Sequence, residues 1–274
     1  MVFGLQKEAC ATSSGGTAMK YENIIYEKKD GIAKIVINRP PLNIITIKTM
    51  REIIDAYKDA EVTKDVLIIT IRGAGDKAFA AGVDVKDHLP EVMDDMLNAC
   101  EELMLTVANG NKPSLAIVDG ICSGGGFELV LCCDMIIATE KSNFSLPEIT
   151  LSLYPGLGIA MLSRKIARNV AFEMITSGDP ITVEDAYRLG LVNKVVFQNK
   201  LEEEVEKFVS RYTKKSAKAL ELTKYALLRA YDMEFTKALK TVDDIYIGLV
   251  MQTDDANEGL KSFIEKRKPI WKHE

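Results

Sequence analysis

Two glutamates stand where a carboxylate is costly. Glu128 interrupts the apolar run Phe127-Glu128-Leu129-Val130-Leu131, and Glu148 lies in Ser145-Leu146-Pro147-Glu148-Ile149. An acid loses hydration among such neighbours unless it serves a polar site. Two such acids can have separated pKa values, one ionised as a base and the other neutral as an acid. A capping or paired structural acid fits either one alone equally well.

Two glycine-bearing turns can supply the complementary electrophilic groups. The first is Phe79-Ala80-Ala81-Gly82-Val83-Asp84-Val85, and the second runs from Asp119 through Gly124-Gly125-Gly126 to Glu128. Three glycines at a helix start let the backbone approach a ligand and leave N–H groups aimed outward. Such donors favour negative charge, and one from each turn would make an oxyanion hole for a polarised carbonyl. Tight helix–strand packing explains the glycine run without any ligand.

Other chemistries are poorly supplied. There is no G-x-x-x-x-G-K-[ST], H-E-x-x-H or full G-x-G-x-x-G motif; Gly156-Leu157-Gly158 lacks the third glycine and follows no clear strand. The chain has only two histidines, His88 and His273, so a Ser-His-Asp or Cys-His arrangement is hard to assemble. The five cysteines (Cys10, Cys100, Cys122, Cys132 and Cys133) form no C-x-x-C pair. They read as reduced thiols in a cytoplasmic setting, and neither a metal nor a cofactor is expected.

These groups need a scaffold. The chain has 274 residues, 47% hydrophobic and 27% charged, with a net charge of -5. That composition is too apolar for disorder and too acidic for a general nucleic-acid binder. No apolar run reaches the roughly 18 residues of a membrane-spanning helix. Asp30-Gly31 predicts a hairpin between residues 21 and 38. Residues 46–62 and 91–109 have helical periodicity. Val66–Ile71, Ser114–Val118 and Met135–Ala138 are short apolar runs expected as buried strands, and residues 73–84 read as a loop. Strand and helix alternate, which argues an α/β fold with a parallel core. Residues 1–18 are expected to be a disordered extension, 19–197 the α/β core, and 198–274 a helical region. In that region Ile245, Ile247, Leu249 and Val250 are either buried against the core or held in a subunit interface.

At these same residues the sequence resembles the crotonase superfamily, the enoyl-CoA hydratases, isomerases and relatives. The matching segments are Asn38-Arg39-Pro40, Lys77 to Lys86, Gly124 to Asp134, Leu146-Pro147-Glu148, Pro155-Gly156, Ser177-Gly178-Asp179, Asp185-Ala186, Gly190-Leu191-Val192, and Thr253 to Lys268. They occur in family order over nearly the whole chain. The resemblance implies a spiral core of ββα turns, a C-terminal trimerisation region and acyl-CoA thioester substrates. It implies that the backbone N–H groups of Val83 and Gly125 form the oxyanion hole, and that Glu128 and Glu148 are the catalytic acids. It also implies substrate contacts by Ala81, Lys77, Lys86, Gly124 and Gly156, and by Phe263 and Lys266 from a neighbouring subunit of a homo-oligomer, a trimer or dimer of trimers. A solvated basic helix end is the plainer reading of Lys261 to Lys272.

The sequence departs from the family after Pro155-Gly156, where relatives usually continue with further glycine and Thr-Gln-Arg-Leu. Here Leu157-Gly158-Ile159-Ala160-Met161-Leu162-Ser163 follows, which suggests an unusual acyl group. Residues 40–46 and 83–88 look similar to hydratases of cyclic dienoyl-CoA esters. His88 reads as a surface residue at a helix start more readily than as one that lines the pocket. Three functions remain open at this point: enoyl-CoA hydratase, isomerase or hydrolase of the same superfamily, and non-catalytic CoA-binding or RNA-binding homologue.

Overall fold

The computed structural model describes residues 21–274; the expected extension at residues 1–18 lies outside them. A hairpin opens the fold: β1 (Ile24–Lys29) pairs antiparallel with β2 (Ile32–Ile37) across Asp30 and Gly31, both at positive φ. Helix α1 (Ile47–Val62) follows, capped by the Thr46 hydroxyl accepting from the Thr49 N–H. Then come β3 (Ile68–Gly73), the short β4 (Ala78–Ala80), α2 (Met93–Ala108), β5 (Ser114–Val118), β6 (Ile121–Ser123) and α3 (Gly125–Cys132). Next are β7 (Met135–Thr139), β8 (Asn143–Ser145), α4 (Gly156–Lys165), α5 (Arg168–Ser177), β9 (Ile181–Thr182), α6 (Val183–Arg188) and β10 (Lys194–Val196). The chain ends in α7 (Leu201–Val209), α8 (Ala217–Ala230), α9 (Phe235–Gly248) and α10 (Asp254–Ile264).

Two sheets carry this α/β fold. The larger has the order β1-β2-β3-β5-β7-β10, parallel from β2 onward; the smaller has the order β4-β6-β8-β9. The three middle passes, β3-β4-α2, β5-β6-α3 and β7-β8-α4, each contribute one strand to the large sheet and a three-residue strand to the small one, then a helix. The region expected as a loop at 73–84 contains β4, a difference with a simple origin. Three-residue strands are too short to show an alternating pattern, and register with neighbours holds them in place.

The core is continuous and aliphatic. Ile35, Ile53, Ile69 and Ile71 are fully buried, and the Phe127 and Phe144 rings, 5.2 Å apart, pack α3 on β8. All eight residues of α3 are buried, so an amphipathic stripe is absent and Glu128 has no route to open solvent along that helix. The described cysteines are free, as expected. Burial pushes the Cys100 and Cys133 thiols up to about 12, which removes them as thiolate nucleophiles near neutral pH. Among the described residues, no helix is long and apolar enough to cross a membrane.

A buried polar knot ties the C-terminal helices to this core. Lys224 on α8 donates to Asp134 Oδ2 at 2.7 Å and to the Lys112 carbonyl at 3.0 Å. Asp134 Oδ2 also accepts from the Ser114 N–H and hydroxyl. The Lys224 side chain is only 6% exposed, so removing its partner leaves a charge with little water. Asp134→Ala should cost about 3 kcal/mol in denaturant unfolding, and Asp134→Asn less; equal stability of all three proteins would show that the knot contributes nothing.

Candidate active site

The small sheet gathers the chemistry. β4, β6 and β8 run parallel, with Ala80 paired to Cys122, Cys122 to Phe144, and Ser123 to Ser145. Their carboxyl ends therefore lie along one edge, where ligands commonly bind in α/β proteins. β4 leads into Ala81-Gly82-Val83, β6 into Gly124-Gly125, and β8 into Leu146-Pro147-Glu148. The Ser123 and Ser145 hydroxyls, 2.8 Å apart, and the Gly124 N–H donating to the Ser145 carbonyl at 3.0 Å lock the last two ends together.

Two amides are left available at that edge. The Ile45 N–H donates to the Gly82 carbonyl and the Asp84 N–H to the Ile45 carbonyl, each at 2.9 Å, so the Val83 N–H takes no part in this pairing. Gly125 is the first residue of α3 and its N–H has no intrahelical acceptor. The two positions adjoin: a Cβ at Gly125 would stand 2.5 Å from Val83 Cγ2 and 3.7 Å from the Val83 nitrogen. Gly124, at φ 52 and ψ -133, has a conformation that disfavours side chains, and a Cβ there would meet Glu148 Oε1 at 3.0 Å. The second turn thus needs glycine for close approach as well as for conformation.

The carboxyls have unlike settings. Glu128, one helical turn beyond Gly125, is 7% exposed. Burial raises its pKa; the N–H groups of Gly158, at 2.7 Å, and Leu157 act the other way. Both amides belong to the first turn of α4, whose dipole favours negative charge. Glu148 is the second residue of a 3-10 turn, Pro147–Leu151. Burial, with a smaller contribution from the Glu128 charge, pushes its carboxyl up to about 7. Its Oε2 is buried and has no hydrogen-bond partner among the described residues.

Leu157 and Gly158 are the site residues that sequence reasoning missed. The glycine pair that resembled the start of a dinucleotide motif instead opens α4 beneath Glu128. Pro155 immediately before Gly156 was the available signal, since a proline at a helix start marks where free amides begin. His88 also differs from expectation. It is half-buried at the end of the 3-10 turn Val85–His88. Of the other expected contacts, Ala81 is half-buried and Lys77, Lys86 and Gly156 are exposed. Phe263, 85% exposed, lies on α10 and Lys266 just beyond it; within one chain neither is brought to the carboxyls by any hydrogen bond or ion pair.

A two-sheet spiral, with adjoining backbone amides and one buried and one half-buried carboxyl at an edge of the small sheet, is the architecture of the crotonase-like fold. The family model described as Enoyl-CoA hydratase/isomerase matches residues 27–274, and the chain belongs to that family. It is 35% identical over 255 residues to a crotonyl-CoA hydratase of Syntrophomonas wolfei, covering 91% of this chain and 98% of that protein. It is 31% identical to a short-chain-enoyl-CoA hydratase of Clostridium acetobutylicum, covering 91% and 97% respectively. The crystal structure of an enoyl-CoA hydratase from Bacillus anthracis superposes with a TM-score of 0.87 at 30% identity, covering 92% of this chain and all of that one.

The Glu148 setting has a thermodynamic signature. Its folded pKa of about 7 exceeds the ordinary 4.5, so the folded state keeps a proton that the unfolded chain releases. The group's contribution is full below about pH 4.5 and is lost as pH rises through about 7. Glu148→Gln should therefore gain stability relative to wild type between about pH 5 and pH 8, by about 2 kcal/mol in denaturant titrations. A difference constant across that range would mean the carboxyl titrates alike in both states.

Proposed function

We propose that this protein is an enoyl-CoA hydratase, adding water across the α,β double bond of an acyl-CoA thioester. The observation that carries the reading is the contrast between the two acids. Glu128 accepts the Gly158 amide at the start of α4 and is favoured as a carboxylate by that of Leu157, whereas Glu148 has a carboxyl pushed up to about 7 and an oxygen without a partner among the described residues. The first setting suits a general base and the second a general acid at neutral pH.

In this mechanism the thioester carbonyl accepts from the Val83 and Gly125 N–H groups. Glu128 removes a proton from water as the water oxygen bonds to Cβ. The π electrons move toward the carbonyl, and the two amides stabilise the enolate oxygen as its charge develops. The C=O then re-forms while Cα takes the Glu148 proton. Exchange with solvent returns both acids to their starting states. No step uses a metal or redox cofactor.

The rest of the substrate falls to less buried groups. Ala81, Gly124 and Gly156 border the thioester; Lys77 and Lys86 stand exposed beside the first turn, available to phosphates. Phe263 and Lys266 would contact CoA from a neighbouring copy in a homo-oligomer. Exposed Ile247, Phe263 and Ile264 favour such an assembly. The names of the relatives support a short, straight acyl chain; the cyclic dienoyl ester rests on residues 40–46 and 83–88 alone. The near-neutral Glu148 also suits an isomerase that uses this acid by itself.

Heavy-oxygen water separates the two reactions. Crotonyl-CoA should acquire label at Cβ; a double bond that shifts in other enoyl esters without label would favour isomerisation. Glu128→Ala and Glu148→Ala should each slow hydration by about 10²–10⁴-fold, and near-wild-type turnover in either would remove that residue from the mechanism.

A further inference from the structure

The glycine turn at 124–126 meets the segment that leaves β4 at three points. A Cβ at Gly126 would stand 2.6 Å from the Ala80 carbonyl oxygen and 2.8 Å from Ala80 Cβ. One at Gly124 would stand 3.6 Å from Gly82 Cα, and one at Gly125 would stand 2.5 Å from Val83 Cγ2. The first two contacts are made by backbone and a single β carbon. The third is made by a branched side chain, whose methyl occupies the space that a side chain at 125 would need. Beyond that methyl the position is open. The next nearest atoms, Val83 Cβ and the Val83 nitrogen, both stand at 3.7 Å, an ordinary contact. Tolerance at 125 therefore depends on residue 83, whereas tolerance at 126 is blocked by main chain.

Both sides of the Val83–Gly125 contact are held in place. Ile45, itself 1% exposed, accepts the Asp84 N–H and donates to the Gly82 carbonyl, so the backbone on each side of Val83 is pinned. Gly125 opens a helix whose eight residues are all buried, and the Gly124 N–H before it is bonded to the Ser145 carbonyl. Between two such anchored segments there is little slack, and a change of one methyl is passed to the backbone.

We propose that Val83 acts through its side chain as well as its amide: the Cγ2 methyl seated against Gly125 is a spacer that sets the separation of the Val83 and Gly125 N–H groups. The inference rests on the reading of these amides as the oxyanion hole. Hydrogen bonds weaken steeply as distance and angle depart from their optimum, so a pair set too wide or too narrow serves one carbonyl oxygen with only one donor. The Val83 side chain is thus a positioning group, and its methyl is the reason that residue 125 must lack a side chain.

The test reads the carbonyl itself. Butyryl-CoA has no double bond to hydrate, and the infrared band of its isotope-labelled thioester carbonyl falls in frequency as donors polarise it. The bound band should lie below that of the free ester in the wild-type protein. Gly125→Ala should move it back toward the free position and lower kcat for crotonyl-CoA by about 10²–10³-fold. Val83→Ala should move it part of the way and lower kcat by about tenfold, with KM little changed. In Val83→Ala/Gly125→Ala the new β carbon stands in for the lost methyl, so the band should return toward its wild-type position and kcat should exceed that of Gly125→Ala by about tenfold. Val83→Thr keeps two γ atoms and should keep the wild-type band. Should Gly125→Ala fail to fold, Val83→Ala and Val83→Thr decide alone. A band unmoved in Val83→Ala, even with stability lost, reduces the side chain to packing and overturns the inference. So does a double variant that folds yet performs no better than folded Gly125→Ala. A wild-type band at the free-ester position with hydration intact overturns the spacer and leaves the hydratase reading standing. Bands that move as expected in a protein that hydrates no enoyl ester do the reverse.

Discussion

The site depends on the register of three very short strands. β4, β6 and β8 each contribute three residues, yet their parallel pairing brings loops from about residues 81, 124 and 148 to one edge. Backbone hydrogen bonds do this with little help from side-chain bulk. A one-residue slip between β6 and β8 would separate Gly124 from the Ser145 carbonyl to which it donates, and would carry Glu148 away from the glycine turn. The glycines at 124 and 125 make the approach sterically feasible, and the fully buried α3 behind them fixes the direction of Glu128. Architecture and acid–base chemistry are therefore joined through the same few hydrogen bonds.

The two acids illustrate how environment assigns different work to identical side chains. Both are drawn out of water, which alone would favour the neutral form of each. Glu128 is met by the amides at the start of α4, while an oxygen of Glu148 meets no donor. The chain thus needs a helix terminus at residues 156–158 as much as it needs a carboxylate at 128. This accounts for the placement of Pro155-Gly156 after the Glu148 turn: the segment starts a helix at the point where its free N–H groups are useful.

Much of the scaffold was legible because its signals are local. Asp30-Gly31 marks the hairpin, Thr46 the start of α1, and the β-branched runs the central strands. Glu128 stood out because it breaks an apolar run, and Glu148 because a proline and isoleucine bracket it. The small sheet was not legible in the same way. Three residues cannot display a strand period, and their partners lie 20 or more positions away. The amides of Leu157 and Gly158 were hidden for another reason, since backbone donors have no residue-type signature.

The knot that joins α8 to the sheet has a consequence for chemical labelling. Lys112, 2% exposed, donates to the Ala60 and Thr63 carbonyls, while Lys224, 6% exposed, is bonded to Asp134 and to Lys112 itself. The Lys224 amine is closed to an acylating reagent while α8 stays on the core, and the Lys112 amine while the end of α1 covers it. Among surface lysines that react freely, Lys224 serves as an internal timer: its modification records how often that seam parts.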